Sequence, residues 1–218
     1  MNSSELLTLF RSEMSDKVEP YLWEDSEGFG FIDDAQKMFC RKTDGLSDAS
    51  TEAVVKLAVV PDTDWLALHP SILRVRSAIR STTGRSIEVI NADDMPLREW
   101  FFDGATGPVK ALVIGQEENK ARVFPKSNET MDILLTVFRL PLVSITDVGD
   151  QALEISSEHH RHLLHWMKHL AYLKQDAETF DRTKAEEFEG RFIAYCAQVR
   201  DEERRKAYKP RSISYGGI

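Results

Sequence analysis

Residues 72–91 read ILRVRSAIRSTTGRSIEVIN, and their period decides the fold class. Within 72–81, Leu73 and Val75 alternate with Arg74, Arg76 and Arg80; within 86–91, Ile87 and Val89 alternate with Glu88. A period of two puts successive side chains on opposite faces of an extended chain, which predicts two strands. Working outward, 53–60 is rich in β-branched residues and stops at Pro61-Asp62. Segments 110–115 and 121–124 flank Gln116-Glu117-Glu118-Asn119, a hairpin pattern. Segment 132–140 reads as a further strand, and 92–100 as a short helix or loop. Strands separated by turns, with no amphipathic helix between them, predict an antiparallel sheet or small sandwich rather than βαβ units.

The flanks change period. Asn2 followed by Glu5 fits a capping box, and Leu6, Leu7, Phe10 and Met14 follow at helical spacing. After a break at Pro20, Asp25 or Ser26 is the expected cap of a helix whose face is Phe31, Ile32, Ala35, Met38 and Phe39, ended by Asp44-Gly45. On the other side, Ser156 or Ser157 is the expected cap of a helix with the apolar face Leu163, Leu164, Met167, Leu170 and Ala171, ending near Gln175. Asp176 is the expected cap of a longer helix, where Phe188, Phe192, Tyr195 and Val199 form a narrow stripe suited to another helix. Segment 207–218 carries Pro210 and Gly216-Gly217 and reads as extended. The expected fold class is therefore α+β. A helical bundle comes from 1–50 and 146–206, an antiparallel β-rich domain is inserted at 51–145, and 207–218 is an extended C-terminal tail.

Composition narrows the function. The chain has 218 residues, 42% hydrophobic, with 4 Trp and 11 Phe, enough for a real core. Its 28 basic and 36 acidic residues leave a net charge of −8, unlike a protein whose main task is to grip a nucleic-acid backbone. Cys40 and Cys196 are too few and too far apart for a disulfide framework or zinc ribbon, and read as buried free thiols. Residues 1–10 lack the pattern of a secretory signal, and no apolar run approaches membrane-helix length, so a protein made and kept inside a cell is expected.

Five of the six histidines fall in 159–169. At helical spacing His162, His165 and His169 share a stripe with Glu158, opposite the apolar face. The plain reading is a polar face meeting solvent or a partner. The sharper ones are a metal site between subunits and a pH-sensitive interface. Asp93-Asp94 and the pair Asp62, Asp64 sit where turns are expected, so backbone roles outweigh acid–base chemistry. Gly28-Phe29-Gly30 has nothing after it to cradle a phosphate, and no Walker loop, G-x-S-x-G or GxGxxG occurs. Trp100, Trp166 and Tyr172 read as core or interface aromatics. Arg74, Arg76, Arg80 and Arg85 are expected largely on one strand face, solvated or against a neighbouring subunit.

The order of features along nearly the whole chain resembles a known family. An N-terminal helix precedes Leu22-Trp23 and a helix with Asp33, Ala35 and Phe39; a β-rich insert opens at 54–61 and closes at Arg139-Leu140-Pro141. There follow a helix with Leu163, Leu164, Trp166, Ala171 and Tyr172, the Asp176 cap, a helix with Phe188 and Phe192, and a basic tail. No single piece is specific; the combination resembles the head-to-tail adaptor (head completion, connector) proteins of tailed bacteriophages. The resemblance implies a non-enzymatic virion protein of the neck, assembled in the host cytoplasm, without cofactor and without membrane contact. It implies a twelve-subunit ring between the portal protein and a tail nozzle or tail-tube protein, through which genomic DNA passes without sequence-specific binding. It also implies that the C-terminal segment (Arg204, Arg205, Tyr208, Lys209, Arg211, Ile213, Tyr215, Ile218) embraces the portal or neighbouring subunits. Arg74, Arg76 and Arg80 are candidates for contacts between subunits. The competing readings are a metal-dependent hydrolase using Glu158, His162, His165 and His169, a nucleic-acid-binding accessory protein, and another neck or tail completion protein.

Overall fold

The structure is a computed structural model that describes residues 1–94, 106–146, 150–175 and 179–207. The protein is α+β and divides into two compact units, 1–43 with 143–218, and 44–142.

The first unit is helical. Helix α1 (Ser3–Met14) opens on the expected capping box: Asn2 Oδ1 accepts from the Glu5 amide at 2.8 Å, and Glu5 Oε2 accepts from the Asn2 amide at 3.1 Å. Leu6 and Phe10 are fully buried. Between α1 and α2 (Asp25–Lys42) the chain is tied down by Arg11. Its guanidinium donates to Asp16 Oδ2 at 2.8 Å and to the Trp23 carbonyl at 2.9 Å, and lies 3.6 Å from the centre of the Tyr21 ring. The cap of α2 is Glu24, one residue before Asp25 and two before Ser26, the expected caps; Glu27 reaches back to accept from the Glu24 amide at 3.0 Å. Helix α1 approaches α2 closely at Gly28, where an added Cβ would lie 2.3 Å from Leu7 Cδ1. Leu7 is itself only 6% exposed, so it has little room to yield. Gly28→Ala is expected to cost about 1–3 kcal/mol by overpacking, read as a shift of the denaturation midpoint; a neutral effect would mean that Leu7 rotates away freely.

Helix α4 (His160–Leu173) follows a hydrogen-bonded turn at 156–159, with His159 rather than Ser156 or Ser157 at the cap position. It is buried on more than one side, by α1, by α2 and by α5 (Arg182–Ala207). Asp181 precedes α5, and its Oδ1 accepts from the Lys184 amide at 3.0 Å, the bond of an N-cap. The expected cap, Asp176, lies outside the described residues.

The second unit carries the strands. These are β1 (Leu46–Asp48), β2 (Lys56–Val59), β3 (Trp65–Ala67), β4 (Ile72–Arg80), β5 (Ser86–Asn91), β6 (Thr106–Gly107), β7 (Ala111–Ile114), β8 (Lys120–Phe124), β9 (Lys126–Ser127) and β10 (Met131–Arg139). The main sheet runs β1-β10-β4-β5-β7-β8-β3, with β2 also on β10. The hairpin expected around 116–119 is present as β7 and β8, Ala111 opposite Phe124.

Three local expectations are corrected. Segment 53–60 is not one strand: Glu52–Val55 makes a single helical turn, α3, before β2. The sheet is not wholly antiparallel, because β5 pairs with β7 in parallel, Glu88 opposite Ala111 through Asn91 opposite Ile114, and β6 pairs with β9 in parallel. A parallel pair needs a connection of a dozen or more residues, and 92–110 supplies that length. The third concerns β4. Its register against β10 slips twice, Ser77 opposite Thr136 but Val75 opposite Val137, then Arg74 opposite Phe138 but Ile72 opposite Arg139. Arg76 and Leu73 are the extra residues of two β-bulges. The inward positions are therefore Ile72, Val75 and Ala78, every third residue, and Leu73 is exposed. The core beneath them includes Val59, Leu112, Ala121, Ile133, Leu135 and Val137.

Candidate interaction surfaces

The histidine stripe is covered by its own chain. Helix α5 lies along it, and the aromatic stripe of α5 meets the imidazoles one by one. The His162 ring stacks on Tyr195 at 3.6 Å between centroids and 13° between planes. The His165 ring lies near-parallel to Phe188 at 6.3 Å. His169 is buried and donates from Nδ1 to the Ala185 carbonyl at 2.9 Å. His159 packs on Phe39 of α2 at 4.8 Å, with Nδ1 and the Tyr195 hydroxyl 2.8 Å apart. His160 is buried, and its Nε2 donates to the Ile155 carbonyl at 2.9 Å.

Removal from water is the main reason the imidazoles of His159, His162 and His165 titrate below their ordinary value. The nearby cations Arg161 and Lys168 push the same way, and Glu158 opposes them at His159. Burial also raises the Tyr195 phenol and pushes the Cys196 thiol up to about 12. Cys40 and Cys196 are both buried thiols outside any disulfide. The rings are engaged with aromatic faces and carbonyls, and among the described residues no group of three or more His, Cys, Asp or Glu could hold a metal ion. The polar face meeting solvent, the plain reading of this stripe, is thus replaced by an intramolecular seam. The sequence signal for it was the matching pitch of the α4 imidazoles and the α5 aromatics.

Polar ties that sequence reasoning missed frame this seam. The Trp166 indole donates to Asp34 at 2.7 Å, Lys168 pairs with Glu13 at 2.6 Å, and Lys174 pairs with Glu27 at 2.7 Å.

The arginines of β4 do not share one face. Arg74 points away from the core and lies 4.7 Å from the Phe138 ring centre, with Asp44 at 3.6 Å. Arg76 sits in a bulge and is exposed. Arg80 lies opposite the core residue Ile133 and pairs with Glu129. Two bulges break the alternation on which the single face depended. Asp64 pairs with Arg122 and Lys126, and Asp62, Asp93 and Asp94 are exposed. Trp100 lies outside the described residues.

Beyond Val199, α5 continues for two turns with every described side chain exposed. Arg204 lies 3.7 Å from Asp201, and Lys206 pairs with Glu203 at 2.7 Å, both on the helix surface. Arg204 and Arg205 therefore project from an exposed helical extension. Tyr208, Lys209, Arg211, Ile213, Tyr215 and Ile218 lie outside the described residues.

A family model, SU10 adaptor protein, matches residues 1–213. The chain belongs to that family. The match covers both units of this adaptor and agrees with the head-to-tail adaptor resemblance seen in the order of its helices and strands. A comparison with curated proteins gives no match. Among the described residues of the adaptor, no helix is long and apolar enough to cross a membrane.

Proposed function

We propose that the chain is a structural neck component of a tailed-phage virion that assembles as a ring, with twelve copies the expected number, between the portal protein and the tail. The observation that carries this reading is the family match over residues 1–213. In this role the protein is not an enzyme and needs no cofactor. It works by closing a channel against its neighbours, a cyclic assembly in which each copy offers two different surfaces. The net charge of −8 supports a lumen through which genomic DNA slides without being trapped.

The C-terminal segment is the portal- and neighbour-binding element. Arg204 and Arg205 stand on the exposed end of α5 and lead into 208–218, which carries the basic Lys209 and Arg211 and the anchors Tyr208, Ile213, Tyr215 and Ile218. Such a segment gives up conformational freedom only on a composite surface, and a ring multiplies its modest contacts through avidity. Arg74 and Arg76 remain the subunit-facing candidates of β4, since Arg80 is held by Glu129. The β-bearing unit contacts the tail nozzle or tail tube.

The test is to purify the protein, mix it with its portal, and follow mass by light scattering together with negative-stain imaging. The expected result is a ring stacked on the portal, and removal of 207–218 weakening that association by roughly tenfold or more. A chain that ignores the portal would overturn the reading. A truncated chain that binds as well as the full one would remove the tail's role and leave the ring intact.

A further inference from the structure

We propose that the α4–α5 seam is a pH-responsive latch: α5 is docked on α4 through neutral imidazoles, and protonation in mildly acidic solution loosens α5 from the helical unit. Four imidazoles within eleven residues, His159, His162, His165 and His169, meet α5, an unusual way to build a helix–helix contact. The geometry shows why it responds to protons. His165 lies near-parallel to Phe188, 5.9 Å from the His162 ring, and its Nδ1 is buried without a hydrogen-bond partner among the described residues. A proton placed there creates a buried donor with nothing to accept it, beside a second imidazole that gains the same charge. His162 is pressed flat on Tyr195, 3.6 Å between ring centroids, which holds it against α5 and away from water.

Among the described residues, the charges around the seam supply no unengaged counterion to His162 and His165. On α4 itself Arg161 stands by His162 and Lys168 by His165. From α5, Arg191 adds a further positive charge at His165. From α1, Glu13 favours the charged form of His165 but is already held by Lys168 at 2.6 Å. From α2, Asp34 accepts from Trp166, Glu27 pairs with Lys174, and Lys42 acts on Cys196. Glu158, Glu202 and Glu203 gather instead near His159 and Tyr195, at the other end of the seam. His162 and His165 are therefore the groups that carry the response.

The direction follows from where these imidazoles titrate. Both are held below the ordinary histidine value in the folded chain, so docking is at full strength at and above about pH 7.5. It weakens as the pH falls through the unfolded value near 6.5. An imidazole kept neutral while its undocked counterpart titrates shifts the opening equilibrium by about tenfold between pH 7.5 and 5.5, and two together by up to about a hundredfold. Because α5 carries Arg204 and Arg205, its release would change how the C-terminal segment is presented.

The experiment is amide hydrogen exchange on the full chain at pH 7.5 and 5.5, corrected for the intrinsic pH dependence of exchange. Protection of α5 residues 185–199 is expected to drop by tenfold to a hundredfold, while β10, in the unit whose only histidine is His69, keeps its protection. The double variant H162Q/H165Q should abolish most of that difference. Unchanged α5 protection in the wild-type chain would overturn the proposal, and so would an equal loss in β10. If the variant folds and keeps the wild-type response, the assignment to these two residues fails; if it does not fold, the wild-type comparison decides alone.

Discussion

Replacing Asp48 by alanine is expected to destabilise the β-bearing unit by about 3–5 kcal/mol, the usual cost of leaving a buried charge without its partner. Asp48 is 6% exposed at the end of β1, and Oδ2 accepts from Arg139 Nε of β10 at 2.6 Å. The same guanidinium donates to the Leu140 carbonyl at 3.0 Å. The other carboxylate oxygen accepts from the amides of Ser50 at 2.9 Å and Thr51 at 3.0 Å, which organise the start of α3. Burial alone would push this carboxyl up. The Thr51 and Ser50 amides, the Thr51 hydroxyl and Arg139 together outweigh it and hold the group well below the usual carboxylate range. A depressed carboxylate contributes stability that is complete above its unfolded value near pH ~4 and is lost as the pH falls below it. Chemical denaturation at pH 7 should therefore separate the two proteins widely, and the gap should shrink progressively below pH ~4. A difference under about 1 kcal/mol at pH 7 would show that the pair's attraction is cancelled by its desolvation.

The second large effect is expected at Phe192. Its side chain is fully buried between α5 and α4, with its ring centre 5.2 Å from that of Trp166. Phe192→Ala removes a ring from a packed site and is expected to cost about 3–5 kcal/mol. The loss should be concentrated in α5, whose buried contacts are few: Ala185, Phe192, Cys196 and Val199. Trp166 loses one of its aromatic neighbours, so its emission reports the change directly. One position further on, Ile193 is 42% exposed, and Ile193→Ala should change stability by less than about 0.5 kcal/mol. Equal effects at 192 and 193 would mean that α5 is not docked by this face.

How far each feature could be read from the sequence followed from the range of the interaction behind it. The Asn2–Glu5 capping box joins residues three apart, and it appears where expected. The hairpin of β7 and β8 closes through a short polar turn, and the apolar spacing of Ile32, Ala35 and Phe39 lies on the buried face of α2. Cap choice was less legible, because several neighbouring residues can serve: Glu24 outcompetes Asp25 and Ser26.

By itself, then, the sequence determined the long helices, the longer strands β4, β5, β7, β8 and β10, and the order of features that marks the adaptor family. Those properties rest on periodicity and on hydrogen bonds between residues close in the chain. Only the tertiary structure decided the register of β4 on β10, where two bulges separate Arg74, Arg76 and Arg80, and the parallel pairing of β5 with β7. It alone also decided that α5 covers the imidazoles of α4. A period states which residues share a face, but what covers that face is set by packing between elements distant in sequence, where register and partner are chosen by the summed burial of the whole unit.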